Sequence, residues 1–372
     1  MEKKKNFKLF DCVLAVVCVV LAVDAAAPAA SIGNSQFFWW PFLLLCFCLP
    51  YALIAAELGV TYQGEGGLYD WVNRAFGPKW GARVAWYYWV NLPLWMASGS
   101  VLITDNLQLI TGNELPLPLI IFLQLSFIWC VTISSLLNLS ESKWLLNIGT
   151  LLKIAVVIGL GAVGVYTAFH HGVVNPVTWR SLLPGADLRS LYYISIIIFN
   201  FLGFEVVATY VDSMPNPRRD IPRAILYGGL AVTVLYMLAA FSISAAIPLT
   251  EISESMGILD AMELMLGPGA SWLVILLGIV ILIAMFSNQL SWVVGINFVA
   301  RYCARDGGLP KIFSLSTKKN NAPIGAALMD GGLATVLILI APLLPSERLF
   351  WNFFASKIGC LMVIYFQIYP AF

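Results

Sequence analysis

The sequence predicts an all-α membrane protein of about ten transmembrane helices, and three observations predict it. Sixty per cent of the 372 residues are hydrophobic and only 11% are charged, with a mean hydropathy of +0.85, which excludes an ordinary soluble domain. Runs of about 20 mostly apolar residues, the length a helix needs to cross a bilayer, recur along the chain. The short alternating strands of a membrane barrel do not appear. Finally, Lys and Arg gather in every second loop, sixteen on one side against three on the other, the bias that orients membrane proteins.

Taken in order, Met1 to Lys8 form a short tail with four lysines, followed by an apolar run from Leu9 to Val23. A basic start, an apolar core and Ala-Pro-Ala-Ala also mimic a secretory signal. Asp11 and Asp24 within that core, and the membrane character of everything downstream, favour a first span instead, broken near Pro28 to Asn34. The second span runs from about Phe37 to Leu58, the third from Trp80 to Ile110, the fourth from Leu117 to Leu137 and the fifth from Trp144 to Phe169. Residues 170–188 form an outer loop holding both histidines. A sixth span is interrupted at Asn200, Gly203 and Glu205. The seventh (about Ala224 to Ile247), eighth (Ser271 to Tyr302), ninth (Ala322 to Leu344) and tenth (from Phe350) complete the count. The basic side of this topology carries Lys3, Arg74, Lys143, Arg218, Arg301 and their neighbours, and the other side only Arg180, Arg189 and Arg348. The N-terminus is therefore expected in the cytoplasm.

The organisation is expected to be a tail (1–8), a first five-helix repeat (9–169), an outer loop (170–188) and a second five-helix repeat (189–372). An odd number of spans per half inverts the second half relative to the first. Each half then opens on an interrupted helix, and such paired interruptions are the sequence signature of a transporter's binding site. Half-helix N-termini offer N–H groups to an anion, while half-helix C-termini offer carbonyls to a cation. Gly203 permits the opening, and Glu205 at mid-membrane depth costs at least ~2.5 kcal/mol, which marks it as functional or as a buried structural pair.

Three stretches carry a family resemblance. Gly203-Phe204-Glu205, followed by Pro215-Asn-Pro-Arg-Arg-Asp-Ile-Pro-Arg-Ala224, resembles the sixth helix and following loop of the amino acid/polyamine/organocation permeases. Ala56-Glu-Leu-Gly59, Gly66-Gly-Leu-Tyr69, Trp71 and Ala75-Phe-Gly77 resemble their second-to-third helix loop, with Gln63-Gly64 where many relatives have Pro. Arg301 to Pro310 resembles the exit of their eighth helix. The resemblance implies a LeuT-like fold and secondary transport by alternating access, with an amino acid or amine as substrate, the bilayer as surroundings and protons as a coupling partner. Asp212 to Asp220 and Leu290 to Gly295 look most like the glutamate/GABA antiporter branch, which implies exchange of a glutamate-like amino acid for a related amine. A proton-coupled symporter or a cationic amine carrier is the alternative. Relatives usually have twelve spans, so the last two are expected to be missing; a sensor or a truncated paralogue is the reading of another class.

The expected substrate site comprises Ala27, Ala30, Ser31, Ile32 and Gly33 at the first interruption and Asn200, Phe201, Gly203, Phe204 and Glu205 at the second. Trp86, Asn288 and Trp292 join it from neighbouring spans. Ala-Pro-Ala-Ala-Ser-Ile-Gly at residues 27–33 departs from the Gly-rich motif of many relatives. Glu205, Lys153 and Asp24 are the proton-coupling or gating candidates. For Lys153 the resemblance implies a proton carrier or sodium surrogate; a snorkelling lysine is the bland reading. Asp24 could meet an ammonium or simply lie at the interface. Lys357 sits in the tenth span with no counterpart in the family pattern. The seven cysteines lie mostly in apolar runs without a Cys-x-x-Cys pair, so packing is expected rather than metal or disulfide. No cofactor, no nucleic acid and no enzymatic activity are expected: there is no phosphate loop, metal cluster, nucleophile–base pair or basic stripe. Oligomeric state is not specified by the sequence.

Overall fold

The computed structural model describes residues 6–22, 26–62, 64, 66–137, 139–184, 194, 197–252, 258–267, 271–343 and 349–371, and these form helices and connecting turns. Six segments are long and apolar enough to cross a membrane unaided: Gly33–Thr61, Leu117–Ser134, Lys143–His171, Pro217–Ala246, Trp272–Arg305 and Ile324–Leu343. These correspond to six of the expected spans. The third is long but more polar, and the first and sixth are interrupted.

In the first half, α1 (Leu9–Val20) is short and α2 (Ala26–Ala30) is barely more than one turn. The second span is built from α3 (Gln36–Leu43), a wider turn at Leu44–Cys48 and α4 (Leu49–Thr61). Pro41 and Pro50 within it remove backbone donors and disturb regular winding. A short amphipathic helix, α5 (Leu68–Phe76), leads into α6 (Pro78–Thr111), α7 (Leu117–Ser134) and α8 (Leu139–His171). Gly77, at φ 85°, makes the corner between α5 and α6 that an L side chain would strain.

After α9 (Trp179–Leu182), the sixth span gives helical residues at 197–199 and a 3₁₀ stretch from Phe204 to Ser213. Then follow α10 (Pro217–Ala246), α11 (Ile258–Leu266), α12 (Ser271–Arg305), α13 (Ile324–Ile340) and α14 (Leu349–Ile368). Pro217 opens α10 at the first helical position, where its missing N–H costs nothing.

Segments assigned to one side of the membrane meet one another. On the N-terminal side Lys143 reaches the Asn6 carbonyl (2.8 Å) and Asp11 (3.0 Å), and the Phe7 N–H bonds the Ser213 carbonyl (3.1 Å). On the opposite side Asn34 donates to the Pro176 carbonyl (3.0 Å) and accepts from Ser244 (2.9 Å). The helices pack around the two interruptions, with α8 and α10 against α1, and α6 against α12 and α14.

Candidate functional site

The first interruption comes earlier than expected. The helix ends at Val20, eight residues before Pro28, and Leu21 already has an extended backbone (φ −74°, ψ 92°). The carbonyls left open at that end are met by side chains from other helices. Lys153 of α8, only 3% exposed, donates to Cys18 O (2.8 Å) and Leu21 O (2.7 Å). Asn288 and Trp292 of α12 donate to Cys18 O and Val19 O, the latter at 3.2 Å from the indole. Tyr236 of α10 donates to Val20 O and accepts from the Ala22 N–H at 2.7 Å. Lys153 thus places its ammonium where a bound cation would neutralise the negative end of a half-helix. It points into the bundle, so the snorkelling alternative does not hold.

The second interruption is built differently. Phe199 ends the helical turn and Gly203 takes φ 108°, a conformation open to glycine. Space forbids a side chain too, since a Cβ there would lie 2.7 Å from the Trp292 ring and from Val19. The two interruptions therefore touch through Trp292. Asn200 is fully buried, and neither of its side-chain polar atoms has a hydrogen-bond partner among the described residues. An unsatisfied buried amide costs about 1–3 kcal/mol, and a polar ligand would remove that cost.

Glu205, 1% exposed, is ringed by hydroxyls from three helices. Tyr51 of α4 donates to Oε2 (3.0 Å), while Tyr88 of α6 (3.1 Å) and Tyr365 of α14 (2.8 Å) donate to Oε1. The carboxylate is a crosslink that the 3₁₀ stretch makes to three separate spans. Any movement of that stretch must break or re-form these bonds.

The other expected residues divide. Phe201, Phe204, Asn288 and Trp292 are buried around the interruptions. Ala30 is buried in α2, which packs on α10, while Ser31, Ile32 and Gly33 form the turn into α3 on the side opposite the N-terminus, where Gly33 abuts Leu249. These residues, and Ala27 with them, belong to a connection rather than to the interruption. The reason is physical: Pro28 falls in the first turn of α2, where proline is tolerated. Asp24 and the side chain of Ala27 lie outside the described residues. Trp86 is 43% exposed and packs beside Trp89, so it is not a wall of the site. Trp95 takes that place, nine residues on and therefore on the opposite face of α6 at about 100° per residue. Residues Tyr88 and Trp95, seven apart, share the inward face; that spacing is the signal by which both could have been found. Tyr51, Tyr365 and Lys357 were also missed as site residues. A tyrosine inside an apolar run needs a partner for its hydroxyl, which pointed to a carboxylate without saying which.

Two of the matched loops meet each other. Tyr69 of α5 donates to Asp306 (3.1 Å) and packs edge-on against Tyr302. Burial, then Cys303 and Asp306, push its phenol above the usual range, so it stays a donor at neutral pH. Arg74 pairs with Asp70 at 3.0 Å.

Comparison with known proteins agrees with this geometry. The family described as "Amino acid permease" matches residues 7–371. The chain is 47% identical over 369 residues to the "Probable agmatine/putrescine antiporter AguD" of Lactococcus lactis subsp. lactis, covering 99% of this chain and 79% of that protein. It is 26% identical over 307 residues to the "Glutamate/gamma-aminobutyrate antiporter" of Lactococcus lactis subsp. cremoris, covering 78% and 60%. Among solved structures, that of MhsT in complex with L-phenylalanine superposes with a TM-score of 0.61 at 16% identity, covering 99% of this chain and 89% of that one. At that identity the likeness shows a shared fold.

Proposed function

The chain belongs to the amino acid permease family, a family of membrane-embedded transporters, and from that footing we propose that it exchanges small cationic amines across the cell membrane. The observation that carries this reading is the lining at the interruptions: the ring faces of Trp95, Phe199 and Trp292 converge there within 5 Å of a common point, the Lys357 ammonium. Aromatic faces attract an ammonium or guanidinium group, most strongly when water is excluded. Asn200 supplies an amide oxygen without a partner. The antiporter relatives support exchange, and the agmatine/putrescine relative supports an amine as cargo.

In this reading Asn200 and the aromatic faces hold the substrate, Glu205 with its tyrosines gates access and responds to protons, and Lys153 acts as a built-in cation for the first half-helix. The N-terminus is cytoplasmic, from the charge bias. Counterflow in proteoliposomes tests the function. Labelled putrescine should accumulate in vesicles preloaded with agmatine or putrescine and not in empty ones. Accumulation in empty vesicles driven by a proton gradient would replace exchange with symport, and uptake of labelled glutamate alone would replace amine with amino acid.

A further inference from the structure

Lys357 is the one residue of the tenth span that the sequence could not place. In the structure its side chain is 1% exposed and turned into the bundle from α14. Its ammonium lies 3.5 Å from the centre of the Trp95 ring, 4.7 Å from that of Trp292 and 4.9 Å from that of Phe199. The three rings come from three elements: α6, α12 and the turn that ends at the second interruption. Two of them are fixed to the transport machinery. Trp292 donates to Val19 O at the first interruption and is the ring that Gly203 makes room for. Phe199 immediately precedes Asn200. Three aromatic faces around one cation form the cage by which proteins recognise ammonium groups, an attraction that strengthens once water is excluded. The cage is thus built for a cation, stands where both broken helices meet, and is already filled by the chain itself.

We propose that the Trp95–Phe199–Trp292 box is the subsite for the charged end of the substrate, and that Lys357 is its tethered occupant, displaced each time a substrate ammonium or guanidinium enters. The inference rests on the amine-exchange reading and adds to it where the cation sits and what it competes with. One box holds one cation, so substrate entry and lysine retention exclude each other. The tether keeps the competitor always at hand, at an effective concentration no free ion needs to match. The cost to affinity follows from occupancy: a box filled by the lysine about nine-tenths of the time weakens apparent binding about tenfold.

The test is binding of labelled putrescine to the full chain in nanodiscs, comparing wild type with Lys357→Gln, Lys357→Met and Lys357→Arg. Two neutral replacements are used so that a folding failure of one leaves the other, and each is checked by size-exclusion chromatography. The expected result is binding about tenfold tighter in the glutamine and methionine variants, with no gain in the arginine variant, whose guanidinium still fills the box. Unchanged or weaker putrescine binding in the folded neutral variants overturns the tethered-occupant role while leaving amine exchange standing. If instead those variants lose glutamate binding that the wild type shows, Lys357 pairs with a substrate carboxylate and the proposal falls. Absence of putrescine binding in wild type and neutral variants alike overturns both this inference and the amine reading.

Discussion

The two interrupted helices solve the same problem in opposite ways. Breaking a helix inside a bilayer strands backbone and side-chain polar groups that water cannot reach. At the first interruption the protein meets that debt internally. Lys153, Asn288, Trp292 and Tyr236, from three other helices, take up the carbonyls of Cys18 to Leu21. At the second, Glu205 is held by three tyrosines, but the buried Asn200 has no partner on either side-chain polar atom among the described residues. One broken helix is closed by the protein's own chemistry and serves as a fixed end. The other keeps an amide with neither polar atom bonded among the described residues, whereas at the first only the Asn288 Oδ1 is left so. Locating a binding site therefore needs more than finding the breaks; it needs an account of which break is already satisfied.

The largest effect should come from opening the satisfied side. Lys153→Met takes from the buried Leu21 carbonyl its lysine partner, at a cost of about 1–3 kcal/mol, and leaves the Cys18 carbonyl to Asn288 alone. It should lower the thermal unfolding temperature in detergent by several degrees and abolish exchange. Near-normal stability would mean that the Lys153 contacts are incidental. Glu205→Gln comes next. The amide keeps the shape and can still bond the three tyrosines, but it removes the charge they stabilise. Exchange should slow about tenfold, the weight of one charge-assisted hydrogen bond, and its pH dependence should flatten while the protein stays folded. A pH profile identical to wild type would assign Glu205 a purely structural role. Trp86→Ala should change exchange by less than about twofold, as expected for an exposed residue away from the machinery, and a large loss there would mean that the outward face of α6 takes part in transport.

Much of the fold could be read from the sequence because the bilayer demands it. Apolar runs of fixed length and the alternation of Lys and Arg leave few topologies, and the matched loops at Tyr69 and Asp306 proved to touch. The second interruption was legible for a similar reason: Asn200, Gly203 and Glu205 have no business in an ordinary span. The first was misplaced because its cause is not local. Val16-Val-Cys-Val-Val-Leu21 contains no glycine, proline or charge. The chain leaves the helix there because Lys153, Asn288 and Tyr236, more than 130 residues away in sequence, supply partners for the freed carbonyls. The tyrosines around Glu205 escaped for the same reason, being separated from it by 117 to 160 residues. Trp86 and Trp95 are alike in aromatic content, and only helical phase, nine residues at about 100° each, puts them on opposite faces of α6.

In the proposed reading the second interruption takes the substrate and the first does not. Thermal unfolding with and without putrescine, on Asn200→Ala beside wild type, tests it most directly. Asn200→Ala removes an amide without a hydrogen-bond partner among the described residues, a gain of about 1–3 kcal/mol, and leaves a small void that costs a comparable amount, so the variant should unfold within a few degrees of wild type without ligand. The rise in unfolding temperature that putrescine gives the wild type should be lost or sharply reduced. An Asn200→Ala protein that is markedly unstable without ligand, or one that putrescine stabilises as fully as wild type, would contradict the account.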